Sequence, residues 1–163
     1  MTDVPAVSLA LDDQLCFKLY AASRAVTRAY KPMLDQLGLT YPQYVVMLVL
    51  WEWQDATPPQ PTVKALGERL MLDSGTLTPL LKRLELLALV KRQRSTLDER
   101  EMHLSLSTAG LQLRDQAHAL KARLLCDSGV DLNQADALRD GLDQLLAQIK
   151  GLSCQAPKGP AGP

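Results

Sequence analysis

Residues 44–51 read YVVMLVLW, a run that is apolar on every side. A segment with no polar face has to be covered all round, so it belongs at the centre of a fold and the other elements must be arranged about it. It is far short of the roughly 20 apolar residues needed to cross a bilayer. Thr40 stands three residues before Gln43, the arrangement in which each side chain satisfies the other's orphan backbone donor at a helix start. The run is therefore read as a buried helix over residues 41–53. A chain of 163 residues with 47% hydrophobic content has enough apolar material to surround that helix as one ordinary domain.

The flanking segments supply the cover. Leu15, Leu19, Ala22, Val26, Ala29 and Met33 recur at spacings of three and four, which predicts a long amphipathic helix over residues 12–37, closed by Gly38 and with Pro32 placed to kink its last turn. The proline-rich run DATPPQP, residues 55–61, makes a rigid surface loop. Thr62 can cap a short helix over residues 63–70. After a break at 71–73 a second helix covers 74–87, and the pair suggests a helix-turn-helix. In the second helix Leu77, Leu80, Leu81, Leu84 and Ala88 form the inward stripe, while Thr76, Pro79, Lys82 and Arg83 lie elsewhere on the surface. Residues 90–94 and 102–106 alternate in polarity on either side of a polar run, the pattern of a two-stranded ribbon with a long tip.

Thr108 and Gly110 open another helix, with Leu113, Ala117, Leu120 and Leu124 in register up to residues 127–129. Asn133 is expected to cap the last helix, whose stripe is Leu138, Leu142, Leu145 and Ile149 up to Gly151. The expected fold is mainly α with a small β-ribbon: a winged helix-turn-helix over residues 62–108, between N- and C-terminal helices that serve dimerisation. Residues 1–151 are read as a single domain and 152–163 as a disordered tail. The terminal stripes have nothing left to cover them within one chain, and a symmetric partner is the economical solution.

Lys plus Arg (18) balances Asp plus Glu (18), so overall charge does not drive the chain onto nucleic acid or membrane. A local patch can. Between residues 82 and 100 six basic side chains (Lys82, Arg83, Lys91, Arg92, Arg94, Arg100) stand against three acidic ones (Glu85, Asp98, Glu99). A helix start bearing Ser74, Thr76 and Thr78 offers donors and hydroxyls to phosphates and base edges. At the ribbon tip, Asp98 is placed to hold Arg100 extended toward a minor groove. Taken singly, a charged tip reads as a solvated turn and a Ser/Thr-rich start as a cap; their succession is what points to DNA. The stretch TVKALGERLMLDSGTLTPLLKRLELLALVKRQRSTLDERE resembles the winged helix-turn-helix of the MarR family of bacterial regulators, whose Asp-x-Arg wing signature stands here as Asp98, Glu99 and Arg100.

The stretch LCFKLYAASRAVTRAYKPMLDQLGLTYPQYVVMLVLWE resembles the organic-hydroperoxide-resistance branch of that family, and LDSGTLTPLLKRLE agrees. The resemblance implies that Cys16 is a peroxide-sensing thiol with Tyr30 and Tyr41 as its hydrogen-bonding partners. Near a helix start, orphan amides and the helix dipole favour thiolate, the species that reacts with peroxide. On residues alone Cys16 reads as inert core, since free cysteine is among the most buried residue types; the company of Tyr30, Tyr41 and the wing signature reverses that. Tyr30 is fourteen residues further along the same helix, roughly 21 Å at about 1.5 Å per residue. A tyrosine bonded to the thiolate must then come from the other subunit, with first helices antiparallel across the dimer axis.

Some members of the branch add a resolving cysteine near the end of the fifth helix, where Cys126 stands; Cys154, in the tail, looks incidental. The branch usually has glycine at the position of Ala88, where a left-handed alanine would cost roughly 1 kcal/mol, so this helix is expected to end differently. The three cysteines lack zinc-type spacing, and His103 and His118 stand isolated, so neither metal nor cofactor is expected. The N-terminus MTDVPAVSLALDD lacks the basic region of a secretion signal, which makes the cytosol the expected compartment.

The sequence thus predicts a homodimeric repressor that binds palindromic operator DNA when Cys16 is reduced, releases it on oxidation by organic hydroperoxides, and is not an enzyme. The competing readings are a MarR-type repressor released by a non-covalent small ligand and a thiol peroxidase, for which no reductant site is evident.

Overall fold

The computed structural model describes residues 8–56, 58, 61–94 and 101–153. Among the described residues six α-helices and one antiparallel ribbon follow in the order α1 (Leu15–Leu37), α2 (Tyr41–Asp55), α3 (Val63–Leu70), α4 (Ser74–Leu86), β1 (Val90–Arg94), β2 (Met102–Leu106), α5 (Thr108–Ser128) and α6 (Leu132–Ser153). The chain divides into two compact units, Met1–Ala122 and Arg123–Pro163. The wing tip with Asp98 and Arg100, Cys154 and most of the expected tail lie outside the described residues.

In the first unit α2 is the centre. Thr40 and Gln43 form the reciprocal cap at its start, with the Thr40 N–H donating to Gln43 Oε1 at 2.9 Å. Val46 and Met47 are fully buried, and Tyr44, Val49, Leu50 and Trp51 nearly so. Leu66 of α3, Leu77, Leu81 and Leu84 of α4, and Met33, Leu34 and Leu37 of α1 belong to the core around it. Thr62 caps α3 by accepting from the Ala65 N–H at 3.2 Å, and it also bridges to His103 of β2, tying the helix-turn-helix to the ribbon. The ribbon register runs from Val90 opposite Leu106 to Arg94 opposite Met102. These elements make the expected winged helix-turn-helix.

The second helix runs on to Asp55 and the last to Ser153, two residues into the expected tail, and three further boundaries differ from expectation. The first helix begins at Leu15; residues 11–13 form a separate 3₁₀ turn, because Gln14 is extended (φ −85°, ψ 113°) and the Ser8 hydroxyl pulls Asp13 back at 2.5 Å. The last helix is led in by Asp131, which accepts from the Asn133 N–H at 2.9 Å, so Asn133 already lies inside the helix. Third, α4 ends through Ala88 in the left-handed conformation, φ 55°, with the Leu89 N–H reaching the Leu84 carbonyl at 3.0 Å. The chain thus keeps a glycine-type helix end with an alanine.

That conformation costs alanine roughly 1–2 kcal/mol, offset in part by the greater freedom of glycine in the unfolded chain. Ala88→Gly is therefore expected to stabilise the protein by about 0.5–1 kcal/mol and raise Tm by a few degrees in a thermal melt. A lowered Tm would contradict this account of the turn.

Gly110 shows the opposite constraint. Its α-carbon lies so close to the end of α4 that a Cβ would sit 2.2 Å from the Leu89 carbonyl oxygen. No side chain fits there.

The second unit carries the end of α5 and all of α6. Of the expected apolar stripe of α6, Leu138 is 64% exposed and Ile149 48%. No helix among the described residues is long and apolar enough to cross a membrane.

Candidate DNA-reading face and thiol site

Asp73 begins α4 by accepting from both the Thr76 N–H and the Thr76 hydroxyl, each at 2.9 Å, and these bonds hold its carboxyl below the usual carboxylate range. The Thr78 hydroxyl donates to the Ser74 carbonyl at 2.6 Å. Ser74, Thr76, Thr78, Lys82 and Arg83 are all exposed on α4, as the stripe of buried leucines on its other face requires. Lys82 and Arg83 form no ion pair among the described residues. Arg94 is exposed at the end of β1. These six predicted contact residues therefore lie on α4 and β1, within one supersecondary unit.

Arg92, counted from sequence only as a charge, has a structural position. Its Nε and Nη2 donate to Glu85 Oε2 at 2.9 and 2.5 Å, which fastens β1 to the last turn of α4 and holds the Glu85 carboxyl below the usual carboxylate range. The two residues are separated by a helix end and a left-handed turn, so no periodicity in the sequence marks them as partners.

Cys16 is the second residue of α1, exposed and free. Tyr30 lies on the same unbroken helix, so within one chain the two stay about 21 Å apart. Tyr30 and Tyr41 do meet, edge to face at 5.9 Å between ring centroids. Thus the structure joins the two predicted tyrosines and leaves the thiol at the other end of α1.

A third tyrosine, Tyr44, completes the cluster. Its ring lies 6.1 Å from that of Tyr30 and 6.3 Å from that of Trp51. Burial and the neighbouring Tyr30 and Tyr41 push its phenol up to about 12, and burial raises that of Tyr30 as well. In the sequence Tyr44 was one letter of the apolar run, and only contact geometry distinguishes it from a core residue.

Cys126 is exposed and free on α5, in the second unit. His103 Nε2 is buried without a hydrogen-bond partner among the described residues, 3.8 Å from Glu101. No group of three or more His, Cys, Asp or Glu among the described residues could hold a metal ion.

Residues 28–116 match the family description of the transcriptional regulators SarA and Rot. The organic hydroperoxide resistance transcriptional regulator of Bacillus subtilis is 48% identical over 142 residues, covering 85% of this chain and 91% of that protein. Among solved structures, reduced AbfR bound to DNA superposes with a TM-score of 0.72 at 36% identity, over 85% of this chain and 94% of its own; AbfR is a protein of Staphylococcus epidermidis. Its disulfide form superposes with a TM-score of 0.59 at 35% identity, over 89% and 93% of the two chains.

Proposed function

The chain belongs to the MarR/SarA-type winged-helix transcriptional regulators, and from that premise we propose that it is a cytosolic, homodimeric repressor that holds a palindromic operator while Cys16 is reduced and lets go when an organic hydroperoxide oxidises it. Residues 62–108 read the DNA, with Ser74, Thr76, Thr78, Lys82, Arg83, Arg94, Asp98 and Arg100 in contact, and α1, α5 and α6 form the dimer. Two-fold symmetry sets the recognition helices about one duplex turn, or a multiple of it, apart.

The observation that carries the reading is the division of α1: an exposed thiol at its first turn and the Tyr30–Tyr41 pair about 21 Å further on. With two first helices antiparallel, each thiol of the dimer meets the tyrosines of its partner, so the sensor is an interface. The Cys16 thiolate attacks a peroxide oxygen; the O–O bond breaks, sulfur becomes sulfenic acid, and the hydroperoxide leaves as an alcohol after taking up a proton. Attack by the thiolate of Cys126 from the other subunit forms a disulfide and expels the sulfenic oxygen, which leaves as water on taking up a proton. The DNA-bound reduced form and the disulfide form known for AbfR support this sequence of states.

The second reading, a ligand-released repressor, has one observation in its favour. Tyr44, Leu48, Trp51 and Ala117 line a cleft together with Arg114, His118, Lys121 and Glu52, aromatic and cationic chemistry that suits an aromatic acid apart from the one carboxylate. The cleft holds only about 220 Å³, below the ~300–1,000 Å³ of ordinary ligand sites. Arg114 is moreover engaged with Asp55. The thiol reading is preferred.

The test is a gel shift on DNA upstream of the protein's own gene, with and without cumene hydroperoxide. Release on oxidation is expected, and unchanged binding would defeat the redox reading. Non-reducing electrophoresis of the oxidised protein should show a linked dimer that disappears in Cys126→Ser; a persistent linked dimer would assign the second sulfur elsewhere.

A further inference from the structure

Between the tyrosine cluster and the end of α4 lies an unbroken series of directional contacts, all within the first unit. Tyr30 touches Tyr41 and Tyr44, and Tyr44 touches Trp51. The Trp51 indole N–H donates to the Gly110 carbonyl at 2.8 Å, a buried bond between residues far apart in sequence. The Gly110 N–H donates to Ser107 Oγ at 3.0 Å, and the Ser107 hydroxyl donates in turn to the Ala88 carbonyl at 2.5 Å. The Ser107 N–H donates to the Leu89 carbonyl at 3.0 Å. Ala88 and Leu89 are the residues that terminate α4.

We propose that Trp51 and Ser107 are positioning residues, which transmit the state of the tyrosine cluster to the recognition helix α4 by way of the first turn of α5. The inference rests on the redox-repressor reading and adds a route to it. Two features make these contacts more than packing.

The first is continuity of contact. Tyr44, at 2% exposure, and Trp51, at 4%, are buried ring against ring at 6.3 Å, and Tyr44 also meets Tyr30 at 6.1 Å, so displacement of Tyr30 changes the packing of Tyr44 and through it that of Trp51. At the far end, the start of α5 is pressed so closely onto Leu89 that Gly110 cannot shift toward α4 without moving it. The second is direction. Indole has one N–H and it is spent on Gly110, so the ring's orientation and the position of α5 are set together. Ser107 does the same at the next step, receiving from Gly110 and donating to Ala88. Chains of packed rings and hydrogen bonds of this kind are the physical means by which distant sites are coupled.

The experiment measures operator Kd for reduced and peroxide-oxidised protein, in wild type, Trp51→Phe and Ser107→Ala. Phenylalanine keeps an aromatic ring and removes the donor; Ser107→Ala removes one half-buried hydroxyl and is the variant that decides if Trp51→Phe does not fold. Circular dichroism melts establish which variants are folded. Folded variants are expected to bind operator in the reduced state within about threefold of wild type, and to show an oxidised-to-reduced Kd ratio about tenfold lower, corresponding to about 1.4 kcal/mol of lost coupling. A purely structural role would weaken both states alike and leave the ratio unchanged. A wild-type ratio in either folded variant overturns the relay while leaving the Cys16 reading intact. A wild-type protein that does not respond to peroxide overturns both.

Discussion

Cys16→Ser is expected to bind operator DNA as the wild type does and to ignore organic hydroperoxide. The thiol is exposed at the start of α1, far along the chain from α4, and no core contact depends on its sulfur. A serine hydroxyl fills nearly the same space, so the fold, the dimer and reduced-state affinity should change by no more than about twofold to threefold, the scale of an exposed substitution. What disappears is the reaction, because a hydroxyl does not become a sulfenic acid. Couplings of this kind amount to about 1–3 kcal/mol, so the wild type should lose roughly 5-fold to 150-fold in operator affinity on oxidation while the variant loses none. Titration of labelled operator by fluorescence anisotropy, before and after cumene hydroperoxide, measures both numbers. Release of the serine variant to the same extent as wild type would leave Cys16 a bystander.

The second large effect is expected at Arg83. The side chain is exposed on α4, one turn before Leu87 and opposite the buried Leu77–Leu81–Leu84 stripe, so its removal leaves the core untouched. A guanidinium bonded to a base edge contributes about 1–3 kcal/mol of discrimination. A symmetric dimer loses it twice, and roughly 2–6 kcal/mol corresponds to a loss of about 30-fold to more than 10⁴-fold in operator affinity for Arg83→Ala. Affinity for unrelated DNA should fall far less, with an unchanged thermal midpoint. If Arg83 instead meets phosphate, binding weakens equally on all sequences and the salt slope drops by about one per lost contact. Unaltered affinity on every sequence would remove Arg83 from the interface.

Local signals were legible where they were sufficient in themselves. Thr40 with Gln43 and Thr62 before α3 are caps that act over three residues, and both are found in place. The alternation of residues 90–94 and 102–106 gave the ribbon to the residue. Misreadings arose where a distant or competing group decides. Asp12 and Asp13 resemble the acidic first turn of a helix, yet Ser8 and Gln14 hold that segment in a separate turn. Ala88 was expected to avoid a left-handed end, but the hydrogen bonds from Leu89 to Leu84 and from Ser107 to Ala88 impose it. Resemblance names Tyr30 and Tyr41 as partners of the Cys16 thiol; the contact between the two rings, the addition of Tyr44 and the Glu85–Arg92 clasp depend on how helices cross, which no spacing along the chain encodes.

The inward hydrogen bonds at the start of α4 bear on what operator the protein can read. Thr76 has already given its hydroxyl proton to Asp73, and Thr78 has given its own to Ser74. Each therefore turns only lone pairs outward. In a major groove such oxygens can receive the amino hydrogens of adenine or cytosine, whereas guanine O6 and N7, thymine O4 and the phosphate oxygens offer them nothing to accept. On the proposed reading, guanine would be left to the cations Lys82 and Arg83, one turn further on. The helix start would thus sort bases by which partner holds the hydrogen, and half-sites should place adenine or cytosine under the threonines.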